Sequence, residues 1–229
     1  MNQPQPASPC FIQLEKLTKT YAGAVPVEAL KGIDLQIMAG DRLALLGKSG
    51  SGKSTLLNLL ALIDKPSSGR LLIDSQEASS FSEKNATLYR RHDIGFIFQF
   101  FNLLPTLTLA ENISLPLALL GRREGQLLAD LCQAAGISDK LHRYPEEVSG
   151  GEQQRAAVIR ALVKKPRLIL ADEPTGNLDL ETGLNIVALM NHICKTFGTT
   201  LIMVTHSSEA AAVCSRRLHI IDGHLQNDV

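Results

Sequence analysis

One nine-residue segment, Gly47-Lys48-Ser49-Gly50-Ser51-Gly52-Lys53-Ser54-Thr55, constrains this chain more than any other. It fits the spacing glycine, four residues, glycine, lysine, hydroxyl residue. Glycines let the backbone wrap closely round a phosphate, so that successive N–H groups point at its oxygens. A helix beginning at Lys53 adds the positive end of its dipole. In this pattern Lys53 places a compact charge on the β- and γ-phosphates, and the Ser54 hydroxyl is set to ligate Mg2+. The context agrees: the apolar run 42–46 predicts a strand leading in, and Leu56-Leu57 predict a helix leading out. A glycine- and serine-rich turn matching by chance would lack both flanks.

The rest of the chain predicts an α/β fold with a mainly parallel sheet. Strands are expected at 11–17, 32–37, 71–74, 94–98, 167–171 and 200–204, with turns at 39–41 and 66–69. The last two strands read as unbroken apolar runs, the mark of parallel strands covered on both faces, and they flank a helix expected over 181–197. From about 108 to 163 helical patterns dominate and no strand-like run occurs. This predicts a helical subdomain, about 100–163, inserted into a single domain spanning 11–229, behind a disordered Pro-rich lead at 1–10. Asp222-Gly223 in the tail predicts a terminal hairpin.

Composition narrows the classes of function. Lys plus Arg total 23 and Asp plus Glu total 23, so the formal net charge is zero. That argues against direct nucleic-acid binding and against a polybasic membrane patch. Trp is absent and aromatics are 4%, so the core is expected to be aliphatic. Cys10, Cys132, Cys194 and Cys214 show neither a CxxC pair nor zinc-ligand spacing, as expected for thiols in a reducing compartment. The start of the chain has no secretory signal pattern. The most apolar stretch, 103–120, is interrupted by Pro105, Glu111, Asn112 and Pro116, well short of the ~18 apolar residues of a membrane span.

Further polar groups sit where the pattern places strand and helix ends. Leu168-Ile169-Leu170-Ala171-Asp172-Glu173 is a buried-type strand that delivers two carboxylates. Asp172 would hold Mg2+ and Glu173 would act as general base on the attacking water. Two acids at a strand end are also compatible with an ordinary polar terminus. Ser149-Gly150-Gly151-Glu152-Gln153-Gln154-Arg155 reads as a capped helix start, and it offers a second anion site. Gln99 and His206 each follow an apolar strand, within reach of a terminal phosphate or its metal. Alone, either would be read as structural.

Taken in the order Lys53, Gln99, Ser149, Asp172, His206, these motifs resemble the ATP-binding subunit of ABC transporters over nearly the whole chain. The resemblance implies a P-loop NTPase core with a mainly parallel sheet, an N-terminal antiparallel β part and an inserted helical subdomain. It implies ATP and Mg2+ as cofactors, with Ser54, Gln99 and Asp172 about the metal and Lys53, Gln99, Glu173 and His206 in catalysis. Tyr21 resembles the aromatic that stacks on adenine, although an ordinary strand-end tyrosine would look the same. Residues 148–152 resemble the signature motif, with Val148 where Leu is usual and Glu152 where Gln is common. Asn177-Leu178-Asp179 resembles the loop that crosses the dimer interface, and His206 the switch histidine. Many relatives carry Asp after that histidine; here it is Ser207.

The family works as a head-to-tail homodimer, each ATP lying between one chain's Lys53 loop and the other's Ser149 helix. Segments 101–108 and 171–179 are similar to the branch containing lipoprotein-releasing (LolD-like), macrolide-efflux (MacB-like) and YbbA-like ATPases. That branch implies a separate FtsX/MacB-like four-span permease, membrane contact through it, and a peripheral place on the cytoplasmic side of the inner membrane. The same motor would serve export, lipoprotein extraction or mechanotransmission to a cell-envelope enzyme. A non-transport ATPase acting on DNA or ribosomes fits less well, because such relatives carry coiled coils, a second nucleotide domain or basic arms.

Overall fold

A computed structural model describes residues 10–123 and 125–227. Most of the expected lead lies outside the described residues. Cys10 was expected to belong to it, but begins the first strand and pairs with Met38.

Two sheets form the frame. The first is antiparallel, in the order β2-β1-β4-β5, from β1 (Cys10–Tyr21), β2 (Val27–Met38), β4 (Ser68–Ile73) and β5 (Gln76–Glu77). The second comprises β3 (Arg42–Leu46), β6 (Ile94–Ile97), β7 (Leu168–Asp172), β8 (Thr200–Val204), β9 (Arg216–Ile221) and β10 (His224–Asn227). Its order is β10-β9-β3-β8-β7-β6. Strands β9 through β6 run parallel, and β10 turns back on β9 through Asp222-Gly223.

Strict alternation of side chains explains why the central strands read as continuous apolar runs. On β3, β7 and β8, Leu43, Leu45, Leu168, Leu170, Ile202 and Val204 face one core, shared with the antiparallel sheet and with α1 (Lys53–Leu60). Their neighbours Ala44, Ile169, Ala171, Leu201 and Met203 face the other. That second core is closed by α3 (Leu109–Leu119), α4 (Gln126–Ala134), α5 (Gly150–Leu162) and α6 (Leu180–Phe197). Each fully buried Leu or Ile contributes about 1.5–3 kcal/mol, so a sheet covered on both faces is held chiefly by aliphatic burial.

Two helices escaped the sequence reading. Both α2 (Glu83–Asp93) and α7 (Ser208–Ala211) are short, and polar α2 buries only Ala86 and Tyr89. The signal for α2 was its ends: Ser82 caps it, Glu83 opens it, and Arg90, Arg91 and His92 close it. The expected turn at 66–69 is also shorter, because Ser68 and Gly69 already belong to β4. Between residues 98 and 163 the described residues form α3, α4, α5 and short 3-10 turns. Pro116 lies inside α3 rather than ending it. Among the described residues no helix is long and apolar enough to cross a membrane.

Candidate functional site

The site follows from strand order. Gly47 comes one residue after β3, Glu173 one after β7, His206 two after β8 and Gln99 two after β6. These four strands are adjacent and parallel, so all four groups emerge along one edge of the sheet, where ligands of open α/β sheets bind.

The phosphate loop is shaped by close backbone approach. Gly52 caps α1 at φ 109°, and a Cβ there would collide with the Ala29 carbonyl oxygen. Gly47 stands at φ 153°, where a Cβ would strike the Ile220 carbonyl oxygen. Only glycine fits either place. The terminal hairpin props the loop from outside, with Gly223 N–H donating to Ser51 O at 3.2 Å. Beside the loop lies a cavity of about 300 Å3, lined by Val27, Glu28, Ala29, Ser49, Gly50, Gly52, Lys53, Ser54, Thr55, Glu173, Asp222 and Gly223. Glu28, Ala29 and the 222–223 turn were missed by motif reading. They are remote in sequence and reach the loop only through strand pairing.

Lys53 is buried, and its ammonium donates to the carbonyl oxygens of Gly47 and Lys48 at 2.8 and 2.9 Å. Burial lowers its pKa below the ordinary lysine value, while the Glu173 and Asp172 carboxylates oppose the shift. Asp172 is raised above the usual carboxylate range, first by burial, although the Ser54 hydroxyl bonded to it opposes that. A carboxylate beside a hydroxyl is an oxygen donor pair of the kind Mg2+ takes, with phosphate and water supplying further ligands. Gln99 is not part of that pair. Its amide faces Asn177, whose Nδ2 donates to Gln99 O at 3.0 Å, and its Nε2 lies 3.4 Å from Asn177 Oδ1.

Glu173 adopts a left-handed backbone, φ 47°, uncommon for a residue with a side chain. Its carboxylate Oε1 lies 2.8 Å from His206 Nε2. Ser207 caps α7, accepting from Ala210 N–H and donating to Glu209. The short capping side chain at this position therefore has local work of its own.

Ser149 caps α5 as expected, in a reciprocal box with Glu152. The Glu152 carboxylate accepts from Ser149 N–H at 2.8 Å and from its hydroxyl at 2.9 Å. These bonds hold its pKa below the usual glutamate value. None of Ser149, Gly150, Gly151 or Glu152 lines the phosphate-loop cavity. Gly150 sits instead beside Phe101 and Leu178, and Gly151 beside Thr182.

Tyr21 ends β1 opposite Val27 and is 40% exposed. The Lys19 ammonium lies over its ring, 4.9 Å from the centroid, and donates to Asp64 Oδ1 at 2.6 Å. It borders the cavity only through its strand partner Val27.

A family model described as ABC transporter matches residues 30–176. The lipoprotein-releasing system ATP-binding protein LolD of Shewanella frigidimarina is 42% identical over 230 residues, covering 99% of this chain and 95% of its own length. LolD of Bordetella pertussis is 40% identical over 234 residues, covering all of both chains. The solved dimer of the ATP-binding cassette MJ0796 in a post-hydrolysis state with ADP and Pi superposes with a TM-score of 0.85 at 36% identity, covering 94% of this chain and 98% of that one.

Proposed function

The chain belongs to the ABC transporter family as an ATP-binding cassette ATPase, and we propose that it is the motor of a lipoprotein-releasing type of system, working as a head-to-tail homodimer on a separate four-span permease. The observation that carries the dimer is the separation of two half-sites. The cavity holds the phosphate loop and Glu173, while the capped start of α5 at Ser149 lies outside it. A second copy reversed against the first would bring that helix start to the nucleotide. The dimeric ADP- and Pi-bound cassette that this fold resembles supports the same reading.

In this reading residues 47–55 bind the phosphates of ATP, and Tyr21 meets the adenine. Ser54 and Asp172 hold Mg2+, which offsets the phosphate charge when bound. Lys53 leaves its two carbonyl partners for the β- and γ-phosphates. Glu173 takes the proton of the attacking water and His206 holds that carboxylate in place. Gln99 approaches the γ-phosphate side from the start of the helical subdomain. Closure driven by ATP then displaces the helical subdomain and passes to the permease. The chain would lie at the cytoplasmic face of the inner membrane, held there by that partner. The relatives named LolD support release of lipid-anchored proteins as the work done.

The test is a pull-down with tagged Glu173→Gln chain, ATP and Mg2+ from detergent-solubilised native membranes. A four-span permease with a large outer domain supports the proposal. A many-span permease overturns the permease type, and recovery of ribosomal or DNA-bound proteins alone overturns the transport role.

A further inference from the structure

Residue Gln154, the fifth of α5, is fully buried. Its Nε2 donates to Phe98 O at 3.3 Å and to Pro174 O at 2.5 Å. Phe98 immediately precedes Gln99, and Pro174 immediately follows Glu173. One side chain therefore joins the two loops that carry the site's polar groups at the ends of β6 and β7. Both partners are carbonyls, so the amide must present its nitrogen to them. Its Oε1 is left buried with no hydrogen-bond partner. Burying an unpaired amide oxygen is unfavourable, and an apolar residue of the same volume would avoid it. The position keeps an amide despite that cost because both loops need a donor.

A second contact from the same helix strengthens the grip. Arg160 donates to Phe101 O and Asn102 O at 2.8 and 2.5 Å. Phe101 and Asn102 stand at φ 59° and 50°, a sharp turn that cannot continue a strand or a helix. The segment around Gln99 is thus held by α5 on both sides. The helix itself is rigid, and Gln154 lies about 7.5 Å along it from Ser149 at 1.5 Å per residue. A displacement of the Ser149 end is carried to both loops at once.

We propose that Gln154 is a positioning residue that fastens the Gln99 loop and the Glu173 loop to α5, so that a movement of the Ser149 end brings both groups to the nucleotide together. This rests on the reading of Glu173 as general base given above. It goes beyond that reading in naming the side chain that makes assembly of the site concerted.

The test compares the full chain with Gln154→Met, nearly isosteric but without a donor, and with Glu173→Gln. A misplacement near 1 Å costs on the order of 100-fold in rate. Gln154→Met is expected to lower kcat at saturating ATP at least about tenfold, with ATP affinity changed less than about threefold. Amide exchange should quicken together at 98–102 and 173–177 while α1 and β3 keep their protection. A merely structural role would lower the melting temperature and leave kcat intact below it. Turnover within about twofold of the unaltered chain, or loosening of only one loop, overturns the proposal. Retained turnover in Glu173→Gln instead overturns the general-base reading. If Gln154→Met does not fold, the unaltered chain decides through the side-chain amide protons of Gln154. Slow exchange with and without ATP supports the strut, and rapid exchange in either state overturns it.

Discussion

The Glu173 carboxylate and the His206 imidazole lie 2.8 Å apart, although 32 residues, including all of α6, lie between them in the chain. Adjacent parallel strands β7 and β8 deliver them side by side. The pairing fixes the carboxylate that reaches the phosphate-loop cavity. Removing the imidazole beside it should therefore loosen it. His206→Ala is expected to lower turnover by about 100-fold or more, the range of a mispositioned general base, with ATP binding kept. Steady-state turnover beside equilibrium binding of a fluorescent ATP analogue measures both. Equal losses in binding and turnover would show that His206 acts on the nucleotide site as a whole.

Glu173→Gln keeps the volume and removes the carboxylate proposed as general base. With ATP and Mg2+ it should shift the chain from monomer to dimer in gel filtration, while the unaltered chain returns to monomer as ATP is consumed. A monomer under all conditions would remove the head-to-tail assembly from the mechanism.

Lys53 presently donates to two loop carbonyls. Lys53→Ala leaves those carbonyls to water and takes the only buried ammonium among the residues lining the cavity away. ATP binding should weaken at least about tenfold, a loss above 1.4 kcal/mol. Isothermal titration measures this, and near-normal affinity would contradict the assigned contact.

Asn112 is fully buried in α3, where its amide donates to Leu104 O, Leu107 O and Thr108 O, each at 3.0 Å, and its oxygen accepts from Leu104 N–H at 2.7 Å. It ties the stretch after Gln99 to the helical subdomain. Asn112→Ala should destabilise the chain by about 2–3 kcal/mol, because buried backbone groups lose their partners. Denaturant unfolding tests this, with no change above 0.5 kcal/mol, roughly the level of a surface substitution, counting against it.

Burial at the end of α5 pushes the Lys164 ammonium down to about 8, with nearby Asp93 opposing the shift. Its Nζ donates to Arg90 O and Arg91 O. Between pH about 8 and the ordinary lysine value of 10.5, the unfolded chain binds more protons at this group than the folded one. The Lys164 contribution to stability therefore rises with pH across that window. Below it the penalty of holding a charged, buried amine is complete and constant. Lys164→Met should flatten the rise, and unfolding curves at pH 7.5 and 10 compare the two chains. Identical pH slopes would show that Lys164 is not the group responsible.

Much of this protein was legible in the chain because its signals are local. The bounds of β3 and β8 are those expected, and α1 begins at Lys53, since an apolar run meeting glycines leaves few alternatives. Ser149 announced its own cap, with Glu152 three residues on. The terminal hairpin followed from Asp222-Gly223. Helix α2 stayed hidden because a mostly exposed helix carries little apolar periodicity.

Tertiary structure decided what meets at the site. No spacing rule places Ala29 and Ile220 against Gly52 and Gly47, since strand pairing brings them there. Nor does any rule pair Gln99 with Asn177, or run one buried amide from Gln154 to the flanks of both Gln99 and Glu173. A sequence fixes periodicity, caps and close-approach glycines because those are properties of neighbouring residues. Which loops share a hydrogen-bond donor depends on strand order and on how helices pack across the sheet, and only the folded chain supplies that.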